Sequence, residues 1–336
     1  MTRHGPAPDA FAGVMATGIL AVAANSCAAR PLALVLFGIA AAAFVGLLGW
    51  VVVGAGGGVR RMRQESLAPD VVLRAFTFVA AATVLATAVQ GLFGGPSWAV
   101  DLLGGAGFAA WLVLLPLAVR DVRARRPREL RDQVHGAWLL VSVATAGLAT
   151  VVADLSVRLH AAVLLAAAAA LWLLAILLYL LLVALVGWRL TSTPFVPAEV
   201  TPDSWVLMGA LAISALTGDH VQQALAALRI TTGAEVAHGL TVVGQVAALA
   251  WIVPLLVAQV WTAGKLPGFL TYDRTWWAAV FPLGMLSAAS SATARSWPLA
   301  ALTTVALVLF WDAFAIWVAV ATGLLHRGAR LLRRPA

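Results

Sequence analysis

Residues 161–187 read AAVLLAAAAALWLLAILLYLLLVALVG, 27 positions without a charge. An α-helix rises 1.5 Å per residue, so about 20 residues cross the ~30 Å hydrocarbon core of a bilayer. This stretch is long enough to cross and too apolar to face water. The rest of the chain has the same character. Of its 336 residues, 62% are hydrophobic and 11% charged, and the mean hydropathy is +0.95. A soluble domain carries roughly 25% charged residues and lacks a core large enough to bury this much apolar surface. A soluble enzyme, a nucleic-acid-binding module and a disordered chain are excluded. The fold class is an all-α integral membrane protein.

Ten apolar runs stand out, at about 11–25, 32–54, 71–91, 98–119, 136–153, 161–187, 204–226, 236–261, 275–294 and 299–325. They predict one ten-helix transmembrane domain over 1–336. The first run follows a short leader, MTRHGPAPD, without a convincing cleavage site, and reads as a retained span. The net charge of +8 comes from 22 Lys and Arg against 14 Asp and Glu. Most of these cations sit in short connections between the runs or at the chain ends. With both termini in the cytoplasm, 18 of the 22 fall inside, leaving Arg30, Arg158, Arg229 and Arg295 outside. That is the asymmetry that orients membrane proteins. The run RDVRARRPRELR at 120–131 reads as a solvated cytoplasmic loop against anionic headgroups. Lys265 is the sole lysine and alanine is abundant, a bias that points to a GC-rich bacterial genome and so to a bacterial inner membrane.

The runs are not chemically equal. Those in odd positions carry 15 Ser and Thr, and those in even positions carry four, with none in the second, fourth or sixth. A hydroxyl facing lipid gains nothing, whereas one facing water or another helix finds a hydrogen bond. The simplest arrangement is an inner ring of five odd helices inside five even ones. Pore-lining candidates are Thr17, Thr83, Thr87, Ser142, Thr145, Ser214, Thr217 and Ser287. The alternative is that these hydroxyls serve helix packing alone. Helix breakers fall in the odd runs too, among them Gly147, Gly209, Gly218 and the pair Pro282 and Gly284, which is placed to kink a pore wall.

Three acids lie within runs: Asp101, Asp219 and Asp312. Ionisable groups at that depth are functional candidates. Asp219 adjoins His220, and His238 lies one connection away. Two readings stand: a proton-coupling relay through Asp219 and His220, since histidine titrates near neutral pH, or a polar cluster that orients helices. Cys27 is the one cysteine, so no internal disulfide forms. No nucleotide-binding, hydrolase or metal motif is present. No enzyme activity, catalytic residue, metal or cofactor is expected.

Five segments carry a resemblance: FAGVMATGIL (11–20), RAFTFVAAATVLATA (74–88), SWVLMGALAISALTG (204–218), WIVPLLVAQVW (251–261) and WWAAVFPLGMLSAAS (276–290). With these the chain resembles the tellurite-resistance and dicarboxylate transporter family. That family includes bacterial tellurite-resistance permeases, fungal malate and sulfite transporters and plant slow anion channels. The resemblance implies five helical hairpins around a pseudo-five-fold pore, a homotrimer, and a phenylalanine that occludes the pore at mid-membrane. Phe281, immediately before Pro282, best matches that position, with Phe76 and Phe78 as alternatives. Its expected partners are small inorganic or organic anions and membrane lipid, with no nucleic acid. Two functions follow: a phenylalanine-gated anion channel of the tellurite-resistance type, or a proton-coupled carrier of C4-dicarboxylates or sulfite-like oxyanions.

Overall fold

Lipid offers no partner to a backbone N–H or C=O, so a chain this apolar satisfies its own peptide groups in helices. The computed structural model describes residues 9–65, 69–94, 97–192, 196–267, 273–297 and 299–332, and no strand occurs among them. Arg3, Arg333 and Arg334 of the charge count lie outside the described residues. The helices are α1 (Ala12–Ser26), α2 (Arg30–Glu65), α3 (Pro69–Phe93), α4 (Ser97–Arg123), α5 (Pro127–Gln133), α6 (Leu140–Arg158), α7 (Ala162–Ser192), α8 (Val206–Ala227), α9 (Ala234–Lys265), α10 (Trp277–Ser296) and α11 (Ala300–Leu332). Two differ from the sequence expectation. Helix α2 continues past residue 54 to Glu65. The basic 120–131 run is not simply a loop, because α4 reaches Arg123 and α5 begins at Pro127. Proline suits the first turn of a helix, and the Glu129 carboxylate accepts the Arg126 N–H at 3.4 Å.

Three connections turn by the same device. Ala28, His160 and Arg229 adopt left-handed φ values of 60°, 50° and 56°. The next residue in each case sends its N–H back to a carbonyl five positions earlier: Ala29 to Ala24, Ala161 to Ser156, and Ile230 to Leu225. This is the Schellman closure, here made without glycine.

Two layers result. The sequential pairs α1–α2, α3–α4, α6–α7, α8–α9 and α10–α11 pack along each other. Helices α1, α3, α6, α8 and α10 also pack on one another in a closed circuit, with α10 returning to α1. Among the described residues, seven helices are long and apolar enough to cross a membrane. The two of these in the ring, α3 and α6, are 72% and 94% buried over their apolar windows, against 17–28% for α2, α4, α7, α9 and α11. Of the ten long helices, the three that fall short are α1, α8 and α10, all ring members. Protein rather than lipid surrounds them, so they are free to be short or polar.

Each outer helix is also tied to the ring helix of the next pair by an N–H donor. Arg30 of α2 donates to the Leu92 carbonyl of α3 at 2.9 Å, and Trp111 of α4 to the Thr145 hydroxyl of α6 at 2.9 Å. Trp172 of α7 donates to the Ser214 hydroxyl of α8 at 2.9 Å, and Gln245 of α9 to the Ser290 hydroxyl of α10 at 2.7 Å. Trp317 of α11 closes the cycle on the Thr17 hydroxyl of α1 at 2.9 Å.

At the end of the ring where α6 and α8 begin, two short turns are latched together. The Asp203 carboxylate accepts from the His135 ring nitrogen at 2.8 Å and from the Ala137 N–H at 3.2 Å, and also from the Thr201 hydroxyl. Burial alone pushes this carboxyl up, but the His135 contact, the Thr201 bond and the nearby Arg74 charge outweigh it and hold the group below the usual carboxylate value. A lowered folded value means the latch contributes stability above the unfolded value of about 3.9 and loses it as pH falls through the folded one. In detergent, the melting temperature is expected to decline only once the pH drops below about 4. Asp203→Asn is expected to lower stability at neutral pH by about 1–3 kcal/mol and to flatten that acid decline; melting curves across pH check both.

Candidate functional site

The ring encloses two cavities that share a wall. The smaller has a volume of about 10 Å³, room for roughly one water molecule. All five ring helices wall it: Ile19 from α1, Thr83, Val84 and Thr87 from α3, Gly147 and Thr150 from α6, Ile213 and Leu216 from α8, and Met285 from α10. Its narrowness has a local cause. A Cβ on Gly147 would sit 2.4 Å from the Thr83 hydroxyl, so only glycine lets α3 and α6 approach this closely. The lining hydroxyls already donate elsewhere, Thr83 to the carbonyls of Val79 and Ala80 and Thr87 to that of Thr83. Thr150 pairs with Thr217 across the α6–α8 contact at 2.9 Å.

The larger cavity, about 320 Å³, shares Thr87 and Leu216 with the first. It is polar at its rim. Asn25 and Ser26 of α1, Gln90 of α3, Asp154 of α6, His220 of α8 and Arg295 of α10 all line it. The His220 ring Nδ1 meets the Asp154 carboxylate at 2.7 Å. Arg295 has no hydrogen-bond or ion-pair partner among the described residues.

Toward the other end, Phe281 lies one helical turn before Met285 on α10. Residues 281, 285 and 288 share one stripe of a 3.6-residue helix, and Met285 and Ala288 line the cavities. Phe281 is fully buried. Its neighbours wedge α10 between the adjoining ring helices. Pro282 faces α8, where a Cβ on Gly209 would come within 2.9 Å of it, and a Cβ on Gly284 would sit 3.1 Å from Ile19 of α1. Phe76 is also fully buried and lies on the α3 stripe that carries Thr83 and Thr87. Phe78 instead packs edge-on against Phe11, with ring centroids 5.1 Å apart, and stacks on Phe44 of α2 at 5.6 Å.

The other named hydroxyls sit between the layers. Thr17, Thr145 and Ser214 accept the indole N–H groups already described. Ser142 donates to the Ala175 carbonyl of α7 and Ser287 to the Ala306 carbonyl of α11. Thr217 bonds the Ala146 carbonyl as well as Thr150. Thus Thr83 and Thr87 line the cavities, and the remaining six named hydroxyls hold helices together. Asp219 and His220, adjacent in sequence, diverge. Asp219 accepts from the Thr293 hydroxyl of α10 at 3.1 Å, while His220 turns to Asp154 of α6. Asp101 is engaged by Arg158. No cluster of three His, Cys, Asp or Glu side chains suited to a metal ion occurs among the described residues.

Sequence reasoning passed over Asp154, Arg295, Asn25 and Gln90. Asp154 falls one residue beyond the expected fifth run, and the others read as ordinary end-of-helix polarity. The available signal was their common position at the same end of four of the five odd runs.

A polar mouth beside a narrow, mostly apolar cavity walled by five helices suits the passage of a small solute. Comparison with known proteins agrees. Proteins named "Uncharacterized membrane protein" from Mycobacterium tuberculosis strains CDC 1551 and H37Rv are each 35% identical over 160 residues, covering 47% of this chain and 80% of the relative. The family model described as "Voltage-dependent anion channel" (SLAC1) matches residues 7–325, nearly the whole length. The chain belongs to the SLAC1 voltage-dependent anion channel family, whose members move anions across membranes.

Proposed function

We propose that this protein is a phenylalanine-gated anion channel of a bacterial inner membrane, with both termini cytoplasmic. In this reading all ten long helices cross as five hairpins of one domain over 1–336, and the ring axis is the conduction path. The observation that supports it is a vestibule and a small cavity walled by all five ring helices, with the buried Phe281 one helical turn from the cavity-lining Met285. A phenyl ring across a narrow apolar passage excludes water, and an anion stripped of hydration does not enter. Pro282 and Gly284 set the position of that ring by packing on both neighbouring helices. Thr83 and Thr87 offer hydroxyls that rotate toward a passing anion and bind it weakly enough for release.

A proton-coupled carrier of C4-dicarboxylates or sulfite-like oxyanions is the second reading, favoured by the hydrogen-bonded His220–Asp154 pair in the vestibule. Asp219, tied to Thr293, serves helix packing in the first reading and coupling in the second. Anion flux into liposomes separates them. Phe281→Ala is expected to raise flux about tenfold or more without regard to an imposed pH gradient, because removing the ring wets the constriction. Unchanged flux in folded protein overturns the gate; flux that follows the pH gradient selects the carrier.

We also propose a homotrimer that meets along α11. Asp312 and Trp311 are exposed midway along this span, and neither has a hydrogen-bond or ion-pair partner among the described residues. A charged aspartate at the centre of a lipid-facing helix costs about 2.5–3.5 kcal/mol. Copies inserted with one orientation bring equal depths together, so the indole N–H of one meets the carboxylate of the next. Ala315 and Ala319, exposed one and two turns on, permit close approach. In a Cys27→Ser background, Ala315→Cys is expected to cross-link between copies on oxidation, whereas Leu177→Cys on exposed α7 is not. Equal cross-linking at both positions, or none at Ala315→Cys, removes α11 from the contact.

A further inference from the structure

The vestibule carries more chemistry than a passive mouth requires. Arg295 lines it without a partner among the described residues. A guanidinium presents a planar fork of N–H donors that matches carboxylates and flat oxyanions two bonds at a time. Across the same space, His220 of α8 and Asp154 of α6 meet at 2.7 Å with side chains 19% and 22% exposed. That exposure lets vestibule water deliver a proton to the pair. The volume, about 320 Å³, holds a small anion with several waters.

Building on the anion-pore reading, we propose that this vestibule is a proton-linked docking site for small carboxylates and flat oxyanions, in which Arg295 seats the anion and the Asp154–His220 pair takes up one proton as it arrives. Before binding, the site holds Arg295⁺ and an imidazolium–carboxylate pair that is neutral as a unit. A monovalent anion seated on Arg295 sets a like charge against Asp154. Transfer of a proton from solvent water to the Asp154 carboxylate removes that repulsion and leaves the His220 charge facing the anion. One anion and one proton enter together, so the net charge of the site is the same before and after. Balanced entry matters where the dielectric is low and an uncompensated charge is expensive.

Other ionisable groups near the pair are already engaged. Asp219 precedes His220 but is bonded to Thr293 of α10. Arg158, one turn beyond Asp154, is paired with Asp101 of α4. Arg30 of α2 donates to the Leu92 carbonyl. His238 of α9 contacts Gln222 at 3.1 Å and stacks near Trp297. Helices α1 and α3 contribute the neutral polar groups Asn25, Ser26, Thr87 and Gln90 to the lining. Asp154 and His220 are the paired ionisable groups that line the cavity with Arg295, and the Asp219 charge behind them acts on both His220 and Arg295.

Nitrate is the probe, because it stays ionised across the working pH range and any pH effect belongs to the protein. Titration calorimetry on the full chain in phosphatidylcholine nanodiscs is expected to give binding about fivefold or more tighter at pH 5 than at pH 8. Buffers of different ionisation heat are expected to report about one proton taken up per nitrate. Arg295→Gln abolishes binding and Arg295→Lys retains it. The double variant Asp154→Asn/His220→Gln substitutes neutral amides that still hydrogen-bond each other, and it binds nitrate equally at both pH values. Affinity indifferent to pH in the wild type, or undiminished binding in Arg295→Gln, overturns the proposal. A pH dependence that survives in the double variant overturns the assignment to this pair. If the double variant does not fold, the wild-type proton count decides alone, and a value near zero overturns the linkage. Nitrate flux through Phe281→Ala tests the pore separately: conduction with pH-indifferent binding leaves the pore standing without this site, and proton-linked binding without conduction does the reverse.

Discussion

Everything in this structure depends on the donation of an N–H from each outer helix to the ring helix of the next pair. The donors differ, with one arginine, one glutamine and three tryptophans, but the direction of travel around the ring is constant. The last bond, from Trp317 to Thr17, joins residues 300 positions apart and closes the circle. In lipid, apolar contact between helices is not driven by water, so hydrogen bonds and close packing carry the association. Bonds of this kind contribute about 0.6–2 kcal/mol each. Their value here lies equally in register, because an indole N–H reaches a hydroxyl only when both helices stand at the right depth and rotation.

That arrangement determines what is left for the interior. Once Thr17, Thr145, Ser214 and Ser290 accept from the outer layer, and Ser142 and Ser287 donate back to it, few hydroxyls remain for the axis. The middle of the ring is consequently apolar and close-packed, with glycine at the tightest approach between α3 and α6. Polarity collects at one end, where helix termini reach water and charges cost less. An interior that is narrow and mostly apolar in the middle and charged at one mouth follows from where the protein needed its hydroxyls for assembly.

The two kinds of acid illustrate the same economy of partners. Asp219 is absorbed by a neighbouring hydroxyl, and Asp101 by an arginine. Asp154 is paired with a histidine at the edge of the larger cavity. Asp312 stands apart, a carboxylate on the outer surface that a single copy leaves uncovered.

The all-helical membrane class was legible in the sequence, because run length and hydropathy are local and a bilayer imposes one length scale. So was the alternation of hydroxyl-rich and hydroxyl-poor runs, since helices enclosed by protein escape the demand for apolarity that lipid makes on the others. Turn positions were less legible: Ala28, His160 and Arg229 take left-handed conformations without the glycine that would have marked them. The use of each hydroxyl could not be read at all. Thr83 and Thr145 look alike in sequence, yet one lines the axis and the other receives an indole, because helix rotation is decided by neighbours far along the chain. For the same reason the adjacency of Asp219 and His220 was no guide to their pairing. Successive residues on a helix point about 100° apart, so two neighbours in sequence meet different helices, and only the packed ring determines which.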